Sequence, residues 1–429
     1  MTQKGHVDCE ATEMAIRAAS HDLGGRLLEK LLNAQGGGYQ GSCLPCGQGH
    51  EARFIEYRKK GLVTVLSPVE VRRAYYHCQI CGEGVIPKDR ELDIVGTSFS
   101  PGVRRMMAQV GGKEAFEEGR KDLEVLAGLR VTTKAVERVS ETTGQQVEQQ
   151  NQREQEPILS GRVLPAWGGA TIAKLYVAID GTGVPVVARE TEGRKGKDPT
   201  GKAKTREAKL ACVFTQTTVD QRGYPVRDEE STTYVGAIET VEDFGRRIYA
   251  EAVRRGLNWA QRLMVLGDGA KWIWGTAQEH FPAATEIVDL YHVREHLAKV
   301  AKLLYGAQAP KGQAWLSARR EELDDGKVEA LAAAMGRARL RDRGVREEVQ
   351  TEMEYFRGNA ERMRYAKFRS QGLFVGSGVV EAGCKTIIGQ RLKLSGMHWT
   401  VSGANAIIAL RCCQMSGRWE EFCESRVAD

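Results

Sequence analysis

At 429 residues the chain is too long for one small core, and two to four domains are expected. Its 41% hydrophobic and 28% charged content is ordinary for a globular protein, and no apolar run approaches the ~18 residues of a membrane-spanning helix. The net charge of +6, from 62 basic and 56 acidic residues, permits a nucleic-acid partner without requiring one. The polar N-terminal segment lacks the apolar stretch of a signal peptide, so a cytoplasmic, membrane-free location is expected.

Residues 10–35 predict a helix, with Ala15, Ile16, Ala19, Leu23, Leu27, Leu28, Leu31 and Leu32 as its apolar positions and Gly36-Gly37-Gly38 as its end. Two Cys-x-x-Cys turns follow, Cys43/Cys46 and Cys78/Cys81, separated by 31 residues with strand-like sequence between them. Each turn aims two thiolates at one point, and two turns make a closed tetrahedral zinc site with no open position for catalysis. Four cysteines in such pairs, in a chain without a signal peptide, favour metal over a disulfide framework; two metal-free buried pairs are the alternative.

Residues 101–145 predict helix, and within them 115–144 read as a helix-turn-helix. Leu123, Val125 and Leu126 form the apolar side of the first helix, and Gly128 falls at the turn. Thr132 or Thr133 caps the second helix, with Ala135, Val136 and Val139 facing inward and Lys134, Glu137 and Arg138 outward. Such a second helix enters a DNA major groove or is simply half of a helical hairpin. The glutamine-rich stretch after it, with Pro157, Pro165 and Gly168-Gly169, predicts a linker over 151–171.

From about 172 strands and helices alternate: strands at 174–180, 209–216, 231–236, 262–267 and 285–290, helices at 240–255 and 271–279. The segment 293–367 is helical by composition, and further helices are expected near 377 and over 401–415. Three acids stand out in this frame. Asp180 and Asp268 end apolar strands, and Glu381 opens a helix after Gly-Ser-Gly. Singly each has a structural reading, as a turn residue or a helix-start acid. Together they match a ribonuclease-H-like core, which carries one acid on its first strand, one after its fourth and one on a late helix. Carboxylates so placed suit two magnesium or manganese ions about 4 Å apart, the arrangement of phosphoryl transfer.

The segments 76–89, 178–185, 204–210, 267–274, 289–292, 376–385 and 391–399, in this order, resemble the ISKra4 family of bacterial insertion-sequence transposases, a DDE-type group related to Mutator-like transposases. The resemblance implies that Asp180, Asp268 and Glu381 are a catalytic triad, and that the 112 residues between the last two hold an all-helical insertion. It implies a DNA transposase that binds terminal inverted repeats and performs metal-dependent cleavage and strand transfer. Duplex DNA, another copy of the chain and the nucleoid are then its expected partners and place. A transposase-derived DNA-binding protein without catalysis and a structure-selective nuclease are the alternatives. Related transposases carry an Asp-x-x-His motif near the active site, so His292 of Asp289-x-x-His292 either serves the site or packs beside an N-cap. Lys195, Lys197, Lys204 and Arg206 predict an exposed basic hairpin tip for phosphates. Arg391, Lys393 and Trp399 are candidates for holding a frayed DNA end by charge and stacking.

The expected architecture is therefore multidomain α+β: an N-terminal helical segment over 1–40, a zinc-ribbon-like module over 41–100 and a helix-turn-helix over 101–150. After the linker comes a ribonuclease-H-like α/β catalytic core over 172–429, with its helical insertion at 293–367.

Overall fold

The computed structural model describes residues 2–3, 6–34, 36–162, 171–196, 201–307, 309–338 and 342–428. It is a mixed α+β chain that divides into two compact units, Met1–Ser140 and Glu141–Asp429. No helix among the described residues is long and apolar enough to cross a membrane.

In the first unit, α1 (Cys9–Ala34) is followed by a four-stranded antiparallel sheet of β1 (Cys43–Pro45), β2 (Glu51–Leu62), β3 (Val69–His77) and β4 (Gly84–Val85) in that order. α1 covers an open stretch of β3. Asn33 Oδ1 accepts the Arg72 N–H at 2.7 Å, and a Glu29 carboxylate oxygen accepts the Glu70 N–H at 2.8 Å. Strand-edge donors that would otherwise face solvent are satisfied in this way. Leu32 packs on a small core of Leu62, Val69, Val71 and Ile94. The short α2 (Pro87–Glu91) contributes Asp89, whose buried carboxylate takes two bonds from Arg73 at 2.8 and 2.9 Å.

Three helices complete this part of the chain: α3 (Pro101–Lys113), α4 (Phe116–Ala127) and α5 (Thr133–Leu159). The helical segment expected over 101–145 consists of these three helices, with the turn at Gly128 between the last two. α4 stops where Gly128 takes a left-handed conformation (φ 69°), which costs a residue without Cβ nothing. Thr132 Oγ1 then accepts the Ala135 N–H at 3.1 Å and starts α5. Leu123, Leu129, Ala135, Val136 and Val139 join Val103 and Met107 in one core. Val125 and Leu126, expected inside, are 69% and 70% exposed. A helix of this length has room for one buried stripe, and Leu123 with Phe116 and Ala127 fills it. The expected linker is helical as far as Leu159, with Pro157 in the last turn, where a missing N–H matters least to the turns before it. Residues 163–170 lie outside the described part.

The second unit is built on a five-stranded mixed sheet of β5 (Ile172–Pro185), β6 (Thr205–Gln216), β7 (Thr233–Ala237), β8 (Ala260–Gly267) and β9 (Thr285–Val288). Its spatial order is β7-β6-β5-β8-β9, with the first three antiparallel and β5-β8-β9 parallel. Leu175–Ile179 and Ala208–Phe214 are continuous buried runs, as a sheet covered on both faces demands. α6 (Val241–Arg254) and α7 (Lys271–His280) are the crossovers, and α15 (Val401–Met415) packs on β7.

Between β9 and the late helices stand α8 (Leu290–Tyr305), α9 (Pro310–Asp324), α10 (Val328–Gly336), α11 (Arg343–Gly358) and α12 (Tyr365–Ser370). The late helix opens as α13 (Gly378–Gly383), passes through a π-helical stretch (Cys384–Gly389) and closes as the short α14 (Gln390–Leu392). α16 (Trp419–Ala428) ends the chain's described part.

Candidate active site

The β-sheet register decides where the acids fall. β5 pairs with β6 along its whole length, from Lys174↔Gln216 to Pro185↔Thr205, so Asp180 lies within a strand and not at its end. On the other side β5 pairs with β8 only as far as Ala178↔Leu266. Two residues beyond that last pair stand Asp180 and Asp268, each the next in-register position on parallel neighbours. Parallel strands that part at this point leave a crevice at their C-terminal ends, where open α/β sheets place ligands.

Asp268 is held by a turn: its Oδ1 accepts the Ala270 N–H at 2.8 Å. Gly269 in that turn has φ +98°, and a Cβ there would sit 2.6 Å from the Tyr355 ring. Both conditions call for glycine. Tyr355 Oη in turn donates to the Asp268 carbonyl at 2.9 Å. The helical segment thus reaches into the crevice and fixes the backbone of one acid.

Asp180 Oδ1 accepts the Gly181 N–H at 2.7 Å, and the Cys384 thiol donates to the same carboxylate. Burial lifts the Asp180 pKa above the ordinary carboxylate value, and the Asp268 charge adds to the rise. The Cys384 and Gly181 donors and the nearby His292 oppose it. Burial and the Asp180 charge push the Cys384 thiol far up, so it stays a neutral donor. Cys384 follows Glu381 by three residues on one continuous helix, so the two side chains share a face, and that face meets β5. Ser377 Oγ donates to Glu381 Oε1 at 3.3 Å. The three acids therefore line one end of one sheet. Among the described residues they do not form a group drawn closely enough to hold a metal as they stand.

Asp289 is fully buried and caps α8, its Oδ1 accepting the His292 N–H at 2.7 Å. Its other oxygen accepts the Ser377 N–H, and Leu290 N–H donates to Val375 at 2.9 Å. Asp289 thus ties the start of α8 to the segment that leads into Glu381. His292 Nε2 lies 3.2 Å from His296 Nε2, and His296 Nδ1 lies 2.6 Å from Glu352, which also accepts from Lys299 at 2.7 Å. The His296 ring stacks on Tyr355 at 4.1 Å. Burial works against the Glu352 charge, but the Lys299 and His296 bonds prevail and lower its pKa. His296, Glu352, Tyr355 and Cys384 were not legible as site residues. Glu352 and Tyr355 lie in unremarkable helical sequence, and Cys384 reads as a small buried hydrophobe. Only the four-residue spacing of His292 and His296, one helical turn, hinted at a pair.

The basic candidates divide. Lys195 and Lys204 lie exposed on the β5–β6 connection, and Arg206 lies at the start of β6, where it donates to the Glu190 carbonyl at 3.3 Å. Lys197 lies outside the described residues. Arg189, Arg194, Lys202, Lys204 and His398 line a cavity of about 840 Å³ there. Lys393 is exposed and donates to Thr182 Oγ1, two residues from Asp180. Lys134 and Arg138 are exposed on α5, with Lys134 paired to Glu137 at 2.7 Å. Arg391 and Trp399 do not stand where a DNA end can reach them. Arg391 is fully buried, its guanidinium 5.1 Å from the centre of the Trp399 ring. Trp399 is 7% exposed, its indole N–H donates to Leu392 at 3.1 Å, and its backbone bridges to Val186. A large aromatic beside a buried strand end is worth more as packing than in solvent.

The predicted zinc ligands also need one correction. The group that can hold a metal is Cys46, His50, Cys78 and Cys81, with ligand atoms within 4.8 Å of one another. Cys43 is outside it. Cys43 lies on β1, where alternate residues face opposite ways; Leu44 and Cys46 point to the core and Cys43 does not. The turn that matters is the next one: Cys46 N–H donates to His50 at 2.7 Å, and Gly49 N–H donates to Cys46 at 3.0 Å. Zinc about 2.3 Å from each thiolate needs sulfurs roughly 3.8 Å apart. Cys46 Sγ and Cys81 Sγ are 3.7 Å apart. His50 Nδ1 is buried without a hydrogen-bond partner, a nitrogen that a metal would satisfy. The donor set fits structural zinc.

No family model and no curated protein matches the chain. Among solved structures it is similar to the Drosophila P element transposase strand transfer complex, at 10% identity over 77% of this chain and 82% of that one. The TM-score of 0.25 is too low for that likeness to carry an argument.

Proposed function

We propose that the chain is a DDE-type DNA transposase with a ribonuclease-H-like catalytic core, as its resemblance to the ISKra4 family implies. The observation that carries the reading is the register of Asp180 and Asp268. They are matched positions on adjacent parallel strands of a sheet whose order, numbered from its own first strand, is 3-2-1-4-5. That is the order of a ribonuclease-H-like core. Glu381 enters from a late helix whose next turn touches Asp180 through Cys384.

Asp180, Asp268 and Glu381 would hold two magnesium or manganese ions. Three carboxylates are the hard oxygen donors such ions prefer, and a cation offsets the penalty that burial and the Asp268 charge place on the ionised form of Asp180. When bound, the ions supply Lewis-acid stabilisation of the oxygens that attack and leave in phosphoryl transfer. The chain's own groups do the positioning. The Tyr355 bond fixes the Asp268 turn, and Asp289 fixes the approach to Glu381. His292, held by His296 and Glu352, faces Asp180 and orients it or the phosphate. Water is the nucleophile that cleaves at the transposon end, and the freed 3′-hydroxyl attacks target DNA. The exposed cations of the β5–β6 connection and Lys393 would track the backbone. α5, with Lys134 and Arg138 outward, would read terminal repeats beside the zinc-holding module.

The test is incubation of the protein with end-containing DNA, a target plasmid and magnesium. Joined product is expected from the native chain and none from Asp180→Asn, Asp268→Asn or Glu381→Gln. Cleaved ends without joining would assign a nuclease, and binding without cleavage would remove catalysis altogether.

A further inference from the structure

Tyr291 presents an aromatic ring that the fold does not bury. It is 63% exposed, the highest value for an aromatic side chain among the described residues. Its neighbours are fixed: Asp289 and Val293 are fully buried and Leu290 is 2% exposed. Asp289 accepts the His292 N–H at 2.7 Å, and the Leu290 N–H donates to Val375 at 2.9 Å. The backbone that carries the ring is therefore held from both sides. The ring also has a seat. A Cβ added at Gly376 would lie 3.0 Å from Tyr291 Cε2 and 3.2 Å from Cδ2. Gly376 has no left-handed φ that would call for glycine, so the room it leaves serves the ring. Arg294 lies 5.9 Å from the ring centre, but its guanidinium is bonded to Asp324 at 2.7 and 2.9 Å.

This seat adjoins the acids. Gly376 precedes Ser377, whose Oγ donates to Glu381 at 3.3 Å and whose N–H donates to Asp289. Tyr291 precedes His292, which is near enough to Asp180 to favour its charged form. We propose that Tyr291 stacks on an unpaired base beside the phosphate that the crevice takes, so that the preferred substrate is a DNA end whose terminal pairs are open. The inference rests on the reading of the crevice as a phosphoryl-transfer site for DNA, and adds which form of DNA it accepts. A base inside a duplex is stacked on both faces and offers neither to the protein. An unpaired base offers one, and every base has such a face. Because the ring is already held, little ordering is left for binding to impose. Trp399, the aromatic expected to stack, is 7% exposed and has no face to give.

The experiment compares two probes, a short blunt duplex and the same duplex with mismatched terminal pairs carrying 2-aminopurine. Binding is followed by fluorescence anisotropy of the full chain, with calcium in place of magnesium to withhold cleavage. The native chain is expected to bind the mismatched probe roughly tenfold more tightly than the blunt one, and to quench the 2-aminopurine as the base stacks. Tyr291→Ala should lose the preference and the quenching while its affinity for the blunt duplex, which serves as the control for folding, stays the same. Tyr291→Phe should keep both, because stacking needs the ring and not the hydroxyl. Asp268→Asn should also keep both, which separates this inference from the catalytic one. A native chain that joins strands in magnesium yet binds the two probes alike would overturn the role of Tyr291 and leave the catalytic reading standing. So would an Ala variant that keeps the preference or a Phe variant that loses it. A native chain that binds neither probe would overturn both readings.

Discussion

Replacing Asp289 tests how the second unit assembles its acids. The buried carboxylate accepts two N–H groups, that of His292 at 2.7 Å and that of Ser377. Asn in its place keeps one acceptor oxygen and remains a good N-cap, so α8 stays started. Its amide nitrogen then faces the Ser377 N–H, donor against donor. Loss of one hydrogen bond to a charged group costs about 1.5–3 kcal/mol, which makes the local opening at Ser377 roughly 10- to 150-fold more frequent. Ala at this position also removes the cap, about 1 kcal/mol more. Amide exchange followed by mass spectrometry reads both sites separately. In Asp289→Asn the peptide 374–381 should exchange faster while 290–297 stays protected; in Asp289→Ala both should loosen. Strand transfer should fall in the Asn variant although all three acids remain. Unchanged exchange over 374–381 in the Asn variant would refute the idea that Asp289 holds the approach to Glu381.

Zinc bound by the purified chain should be lost in His50→Ala and Cys78→Ser and kept in Cys43→Ser; metal analysis decides, and retention in His50→Ala would restore the four-cysteine site. The folded-state pKa of Asp180 is raised, so the folded chain binds more protons than the unfolded one between the two values. Stability conferred by the protonated acid is lost as pH rises through the raised value, and Asp180→Asn should therefore melt higher than the native chain near neutral pH. That gap should close at acid pH, and magnesium should raise the melting point of the native chain alone; a variant less stable at neutral pH would contradict the burial argument. Trp399→Ala should cost the second unit about 3–5 kcal/mol in denaturant unfolding. Lys204→Ala should leave stability alone and reduce the salt slope of DNA binding by about 0.9, and a Trp399 variant that folds normally but binds DNA less would return that residue to the DNA interface.

The sequence by itself determined most of the local structure. Apolar runs bounded by glycine, proline and caps placed the strands of the second sheet, the turn at Gly128, the helical content before Glu381 and the three acids. These are short-range signals, because strand and helix periodicity, turn chemistry and the cost of a buried carboxylate operate over a few residues. Only the tertiary structure decided which groups share a point in space. Strand alternation turned Cys43 away and admitted His50. Pairing of β5 with both neighbours to different lengths put Asp180 beside Asp268. Packing of α11 and of the helix after Ser377 brought in Tyr355, Glu352 and Cys384, while Trp399 and Arg391 disappeared into the interior. Residues with no mark in the sequence acquire a role when segments far apart in the chain close over one crevice. That closure is set by register and packing across the whole unit, which no local pattern records.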